Sequence, residues 1–116
     1  MIAAKFVRAP EKWTFVCAGH AENAPPGRDV VCAGVSALCM ALDARLASLA
    51  AQRKTTGFRR EVREGFLSLA VSGDPAVYAG AFETALAGLQ TVAGLYPAHL
   101  AVTEEALPER QKEEEP

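Results

Sequence analysis

The 116-residue chain holds only two histidines and three cysteines. No two cysteines are spaced C-x-x-C, and two histidines cannot complete a zinc site from the spacings that remain. A small, odd cysteine count also excludes the paired disulfide framework of small secreted domains. The cysteines are therefore buried packing residues, reactive thiols or a mixture, and neither a metal nor an organic cofactor is implied. An excess of one charge is lacking too. The net charge of −2 comes from the last ten residues, LPERQKEEEP, and residues 1–106 balance ten basic against ten acidic groups. No field for nucleic acid follows from that balance. Apolar stretches are interrupted by Arg, Asp or Gly before the roughly 20 residues of a membrane helix, so no membrane span is expected. The N-terminus shows neither the apolar region nor the cleavage site of a signal peptide, and a cytoplasmic location is the default expectation.

What is present suits a single globular domain: half the residues are hydrophobic and 22% are charged. The expected domain covers residues 1–106, and residues 107–116 read as a charged, disordered tail. Residues 2–8 alternate loosely between apolar and polar, as a half-solvated strand does. Trp13 to Ala18 forms a second strand, with Trp13, Phe15 and Cys17 on one face, and Gly19 ends it. A helix is expected from about Asp29 to Ala51, its inward stripe made of Val31, Val35, Leu38, Leu42, Leu46 and Leu49. Two short strands, 58–63 and 66–71, make a hairpin, the first charged enough to be an edge. Asp74 as N-cap and Pro75 at the first helical position start a second helix. Its inward residues are read as Val77, Phe82, Ala85, Leu86, Leu89, Val92 and Ala93, and it stops near Tyr96. A last strand covers 99–104, with His99 structural or exposed. The order ββαββαβ with two amphipathic helices predicts a two-layer α/β sandwich with a mixed sheet.

The chemistry concentrates between residues 17 and 38, CAGHAENAPPGRDVVCAGVSAL. With Asp29 as N-cap, Cys32 falls in the first turn of the helix, where the positive end of the dipole favours a thiolate. First-turn N–H groups can also serve as an oxyanion hole. His20 follows a strand and a glycine, and the intervening loop is long enough, at about 3.3 Å per residue, to place it beside Cys32 or apart from it. A Cys–His couple is an activated pair for acyl transfer. Asp29 could orient the imidazole, but a carboxylate that caps the helix is committed to backbone N–H groups, and its charge opposes a nearby thiolate. Capping is its main assigned role.

Each piece has a structural alternative. A lone cysteine on an apolar helix is a small hydrophobe, and a histidine at a strand end is simply solvated. Cys17 and Cys39 read as packing residues. Gly34 costs about 1 kcal/mol relative to Ala inside a helix. Either close packing justifies it, or room for a substrate backbone beside Cys32. Ser36 lies one turn after Cys32 on the same face, placed to hydrogen-bond near the site or back to its own backbone.

Taken together, Gly19-His20-Ala21, a glycine-containing loop and Asp29-Val30-Val31-Cys32-Ala33-Gly34-Val35-Ser36-Ala37-Leu38 resemble the signature of the bacterial ribosomal-processing cysteine protease Prp family. The resemblance implies a homodimeric α/β protein with Cys32 as nucleophile, His20 as general base, and Gly19, Asp29 and Ser36 supporting the site. It implies removal of an N-terminal extension from a large-subunit ribosomal protein. In the family the loop between His and Cys is thought to move, and Pro25-Pro26 would stiffen it here. Two other functions remain open: a ribosome-associated dimer that holds a peptide without cutting it, and a Cys–His hydrolase for another acyl substrate.

Overall fold

The structure, a computed structural model, describes residues 1–19 and 30–108. Strands β1 (Ile2–Arg8) and β2 (Lys12–Gly19) form the expected antiparallel hairpin, closed where the Ala9 N–H donates to the Lys12 carbonyl at 3.0 Å. Their alternation sends Ile2, Ala4 and Phe6 of β1, and Trp13, Phe15 and Cys17 of β2, into the core. Helix α1 (Val30–Ala51) leads to β3 (Gly57–Arg63) and β4 (Phe66–Ser72), and α2 (Pro75–Leu95) to β5 (Leu100–Ala106). The five strands make one sheet in the order β3-β4-β2-β1-β5. Every pairing is antiparallel except that of β1 with β5. The chain is thus the predicted two-layer α/β sandwich, ββαββαβ, with a mixed sheet and β3 at an edge.

Both helices lie on one face of the sheet, and their buried residues join those of the strands in one core. Helix α1 crosses β4 between β2 and β3, and α2 crosses β2 and β1 between β4 and β5. The buried stripe of α1 is Val31, Val35, Cys39, Leu42, Leu46 and Leu49, at helical spacing. An 18-residue window of α1 has a mean hydropathy of 1.7, so by length and composition alone it could cross a membrane. Asp43 and Arg45, which interrupt the run, lie outside the stripe that the sheet covers. Under α2 the core is aromatic. Phe82 meets Trp13 and Phe6 edge-on at 5.4 and 6.3 Å between ring centroids, and Tyr78 meets Trp13 at 5.7 Å. Each such pair adds about 0.5–1.5 kcal/mol beyond area burial.

Three details differ from expectation. Val77 points to solvent and Leu38 is only half-buried, whereas Tyr78 is completely buried. The stripe of α2 is Tyr78, Phe82, Ala85 and Leu89, one residue out of phase with Val77. A tyrosine can occupy the core there because its hydroxyl donates to the Gly73 carbonyl at 3.0 Å. Strand β5 begins after His99 and runs on to Ala106, held in parallel register as far as Arg8. The ion pairs Arg8–Glu104 and Lys5–Glu105 lie along its charged end. Beyond it, Leu107 N–H donates to the Arg8 carbonyl at 2.7 Å, and residues 109–116, most of the expected tail, lie outside the described residues.

Candidate active site

At the end of the sheet where β2 stops and α1 begins, a cleft of about 430 Å³ opens between α1 and the β3–β4 hairpin. Helix α1 supplies Cys32, Ser36, Cys39, Met40 and Asp43 to one wall, which fits a surface that recurs every three or four residues. The hairpin supplies Val62, Gly65, Phe66 and Leu67, and the ends of β1 and β2 supply Ile2, Cys17, Ala18 and Gly19.

Cys32 is the third residue of α1, in its first turn as expected, and it is half-buried. It packs against the edge of the core rather than within it. Ser36 is exposed one turn further along and lines the same cleft. Gly34 is on another side of the helix: a Cβ there would meet Val92 of α2 at 3.8 Å, ordinary contact. Gly19 is the most constrained of the set. Its φ is +109°, and a Cβ would collide with the Met1 carbonyl oxygen. Its N–H donates to the Gly65 carbonyl at 2.9 Å, which ties the end of β2 to the hairpin turn. Gly19 therefore fixes where the chain leaves the sheet toward position 20. His20 and Asp29 lie outside the described residues, so the structure brings together Cys32, Ser36 and Gly19 and leaves the expected base and cap aside.

None of the three cysteines, all of them among the described residues, is in a disulfide. Cys17 and Cys39 are buried, as packing residues should be, but they also meet each other in the cleft wall. Cys39 donates its thiol hydrogen to Cys17, and that bond together with burial pushes the Cys39 thiol up. At the distal end, Arg60 of β3 grips the Asp43 carboxylate with two nitrogens, Nε at 2.9 Å and Nη2 at 2.7 Å. This fork pins the hairpin to α1. Nothing in the sequence spacing foretold it, since the partners are on different elements.

A thiol in the first turn of a helix, beside a cleft, is a feature that cysteine hydrolases use. The sequence pattern of the family described as cysteine protease Prp matches residues 1–101, and this chain belongs to that family. It is a cysteine protease. Among solved structures it is similar to SMU.848 from Streptococcus mutans, with 25% identity, a TM-score of 0.63, and coverage of 92% of this chain and 96% of that one. It also shares its fold with the essential ribosomal processing protease Prp of S. aureus. In complex with a covalently linked product peptide, that protein aligns at 21% identity and a TM-score of 0.68, covering 90% of this chain and 99% of that one. In complex with a substrate peptide, the values are 20%, 0.57, 90% and 99%. No curated protein matches the chain.

Proposed function

We propose that this chain is a cytoplasmic, homodimeric endopeptidase that removes an N-terminal extension from a large-subunit ribosomal protein. Cys32 is its nucleophile and His20 its general base. The observation that carries the reading is the position of Cys32, in the first turn of α1 and on the wall of the cleft. The similar protein of S. aureus, a ribosomal processing protease that takes a peptide, supports the substrate class. Gly19, Asp29 and Ser36 are the supporting positions.

The reaction is acyl transfer in two steps. The Cys32 thiolate attacks the scissile carbonyl carbon, and the oxyanion that forms is stabilised by the positive end of the α1 dipole. The C–N bond then breaks, and the imidazolium of His20 gives its proton to the leaving amine. Water, deprotonated by the same imidazole, hydrolyses the Cys32 thioester and restores the thiol. Asp29 is kept as helix cap and loop anchor, with orientation of His20 its second role.

The test uses the organism's own large-subunit ribosomal protein with any N-terminal extension intact, read by mass spectrometry. Wild-type protein should cut it once. Cys32→Ala should lose at least about 10³-fold in rate while still binding the extended peptide. Equal processing by the two would overturn the assignment. Binding without cutting by the wild type would leave a peptide-holding dimer. The absence of any extended ribosomal protein would point to another acyl substrate.

A further inference from the structure

Two thiols of the cleft wall take no part in the proposed reaction. Cys17 comes from β2 and Cys39 from α1, and each is 8% exposed where it lines the cleft. Cys17 belongs to the β2 row, with Trp13 and Phe15, that packs under the helices. Cys39 belongs to the α1 stripe that packs on the sheet. The two side chains therefore meet across the boundary between the layers, where the Cys39 thiol donates to the Cys17 sulfur. That bond favours the anionic form of Cys17 against the opposing effect of burial, and the thiolate is the form that reacts with an oxidant. A hydroperoxide is hardly larger than water, and the cleft of about 430 Å³ brings it to both residues.

Helix geometry keeps Cys32 out of this pair. It precedes Cys39 by seven positions on α1, which is about 10.5 Å along the axis at about 1.5 Å per residue. A disulfide needs Cα atoms about 4.4–6.8 Å apart. We propose that Cys17 and Cys39 are a reversible disulfide site, oxidised by hydrogen peroxide, that fastens α1 to β2 without Cys32. The Cys17 thiolate attacks one peroxide oxygen and the O–O bond breaks. Hydroxide leaves, takes up the proton that Cys17 has lost and becomes water, and Cys17 is left as a sulfenic acid. Cys39 then attacks the Cys17 sulfur and the S–O bond breaks, so that the thiol proton of Cys39 departs with the hydroxyl as a second water. The two thiols lose two hydrogens and two electrons, and the peroxide is reduced to two waters. The bond closes residues 17–39, the stretch of sequence that contains both His20 and Cys32. A dithiol reductant reverses it by exchange.

The experiment treats the full reduced chain, wild type and Cys32→Ser, with a small molar excess of hydrogen peroxide at neutral pH. Remaining thiols are blocked with N-ethylmaleimide, and trypsin peptides are mapped by mass spectrometry without reduction. In Cys32→Ser the intact mass should fall by two hydrogens, and one cross-linked peptide should join Cys17 to Cys39. Dithiothreitol should reverse both changes. The thermal midpoint should rise by about 5 °C on oxidation, because the cross-link restricts the unfolded chain. In denaturing urea, where only chance closure brings the thiols together, the yield of that cross-link should fall at least about fivefold. Cys17→Ala and Cys39→Ala should each abolish the cross-link and the midpoint shift. Where alanine prevents folding, the peptide map of the wild type decides alone. A wild-type cross-link that includes Cys32, cross-links only between chains, or Cys17 and Cys39 still open to maleimide after peroxide each overturns the site. So does a yield that urea leaves unchanged. None of these readouts uses peptide cleavage, so failure of the disulfide leaves the protease reading standing, and failure of processing leaves the disulfide.

Discussion

The two helices are almost the same length, 22 residues in α1 and 21 in α2, and lie on the same face of the sheet, yet their first turns hold different residues. Helix α2 opens with Asp74, whose carboxylate accepts the Ala76 N–H at 3.0 Å, and Pro75 fills the first position. Neither residue lines the cleft that holds Cys32. Helix α1 opens with an exposed Val30 and reaches Cys32 within its first turn, at the mouth of the cleft. The helix dipole is the same at both starts. At α2 a fixed carboxylate answers it, which stabilises the fold. At α1, whose cap position lies outside the described residues, the first turn holds Cys32, the proposed nucleophile.

The sharpest way to break this contrast is to damage α2. Phe82→Ala removes the ring that touches Trp13, Phe6 and Tyr78, and should cost about 3–5 kcal/mol of stability in denaturant unfolding. Activity per folded molecule should remain close to wild type. A collapse of activity in molecules that are still folded would mean that the two ends are coupled. Thiol reactivity comes next. With iodoacetamide near pH 7, Cys32 should be alkylated at least about ten times faster than Cys39, which is buried and held protonated by Cys17. Peptide mapping that finds Cys39 labelled first would reverse the assignment of roles.

A smaller effect belongs to the cap. Asp74→Ala should lower stability by about 1 kcal/mol with no change in kcat/KM. The smallest concerns pH. Burial raises the Tyr78 hydroxyl above its ordinary value of 10.0, with Asp74 and Glu11 adding to the shift. The unfolded tyrosine therefore ionises first as pH rises. The contribution of Tyr78 is complete below pH 10 and declines as pH climbs through the higher folded value. Tyr78→Phe should flatten that alkaline limb while losing about 1 kcal/mol at neutral pH for the hydrogen bond to Gly73. Urea midpoints from pH 7 to the alkaline limit measure both, and an unchanged limb would refute the role of Tyr78.

Legibility followed the range of the interaction. Asp74-Pro75 was readable because a cap and its helix are neighbours in the chain, and β1 and β2 were readable because period-2 alternation is local. The phase of α2 was not. Choosing Tyr78 over Val77 as the inward residue required knowing that the Gly73 carbonyl stood within reach of the phenol. The end of β5 was missed for the same kind of reason. Glu105 reads as loop until Lys5 of the parallel neighbour is placed beside it.

By itself the sequence determined the order of elements and the placement of Cys32 in a helix's first turn, because both depend on spacing along one chain. It also carried the Gly19-to-Leu38 pattern of the protease family. Only the tertiary structure decided that Cys17, Cys32 and Cys39 share one cleft, that Arg60 locks the hairpin onto Asp43, and that Met40 faces the same space as Val62. Those contacts join α1 to different strands. Their distances are set by how the helix lies on the sheet, and no single segment contains that information.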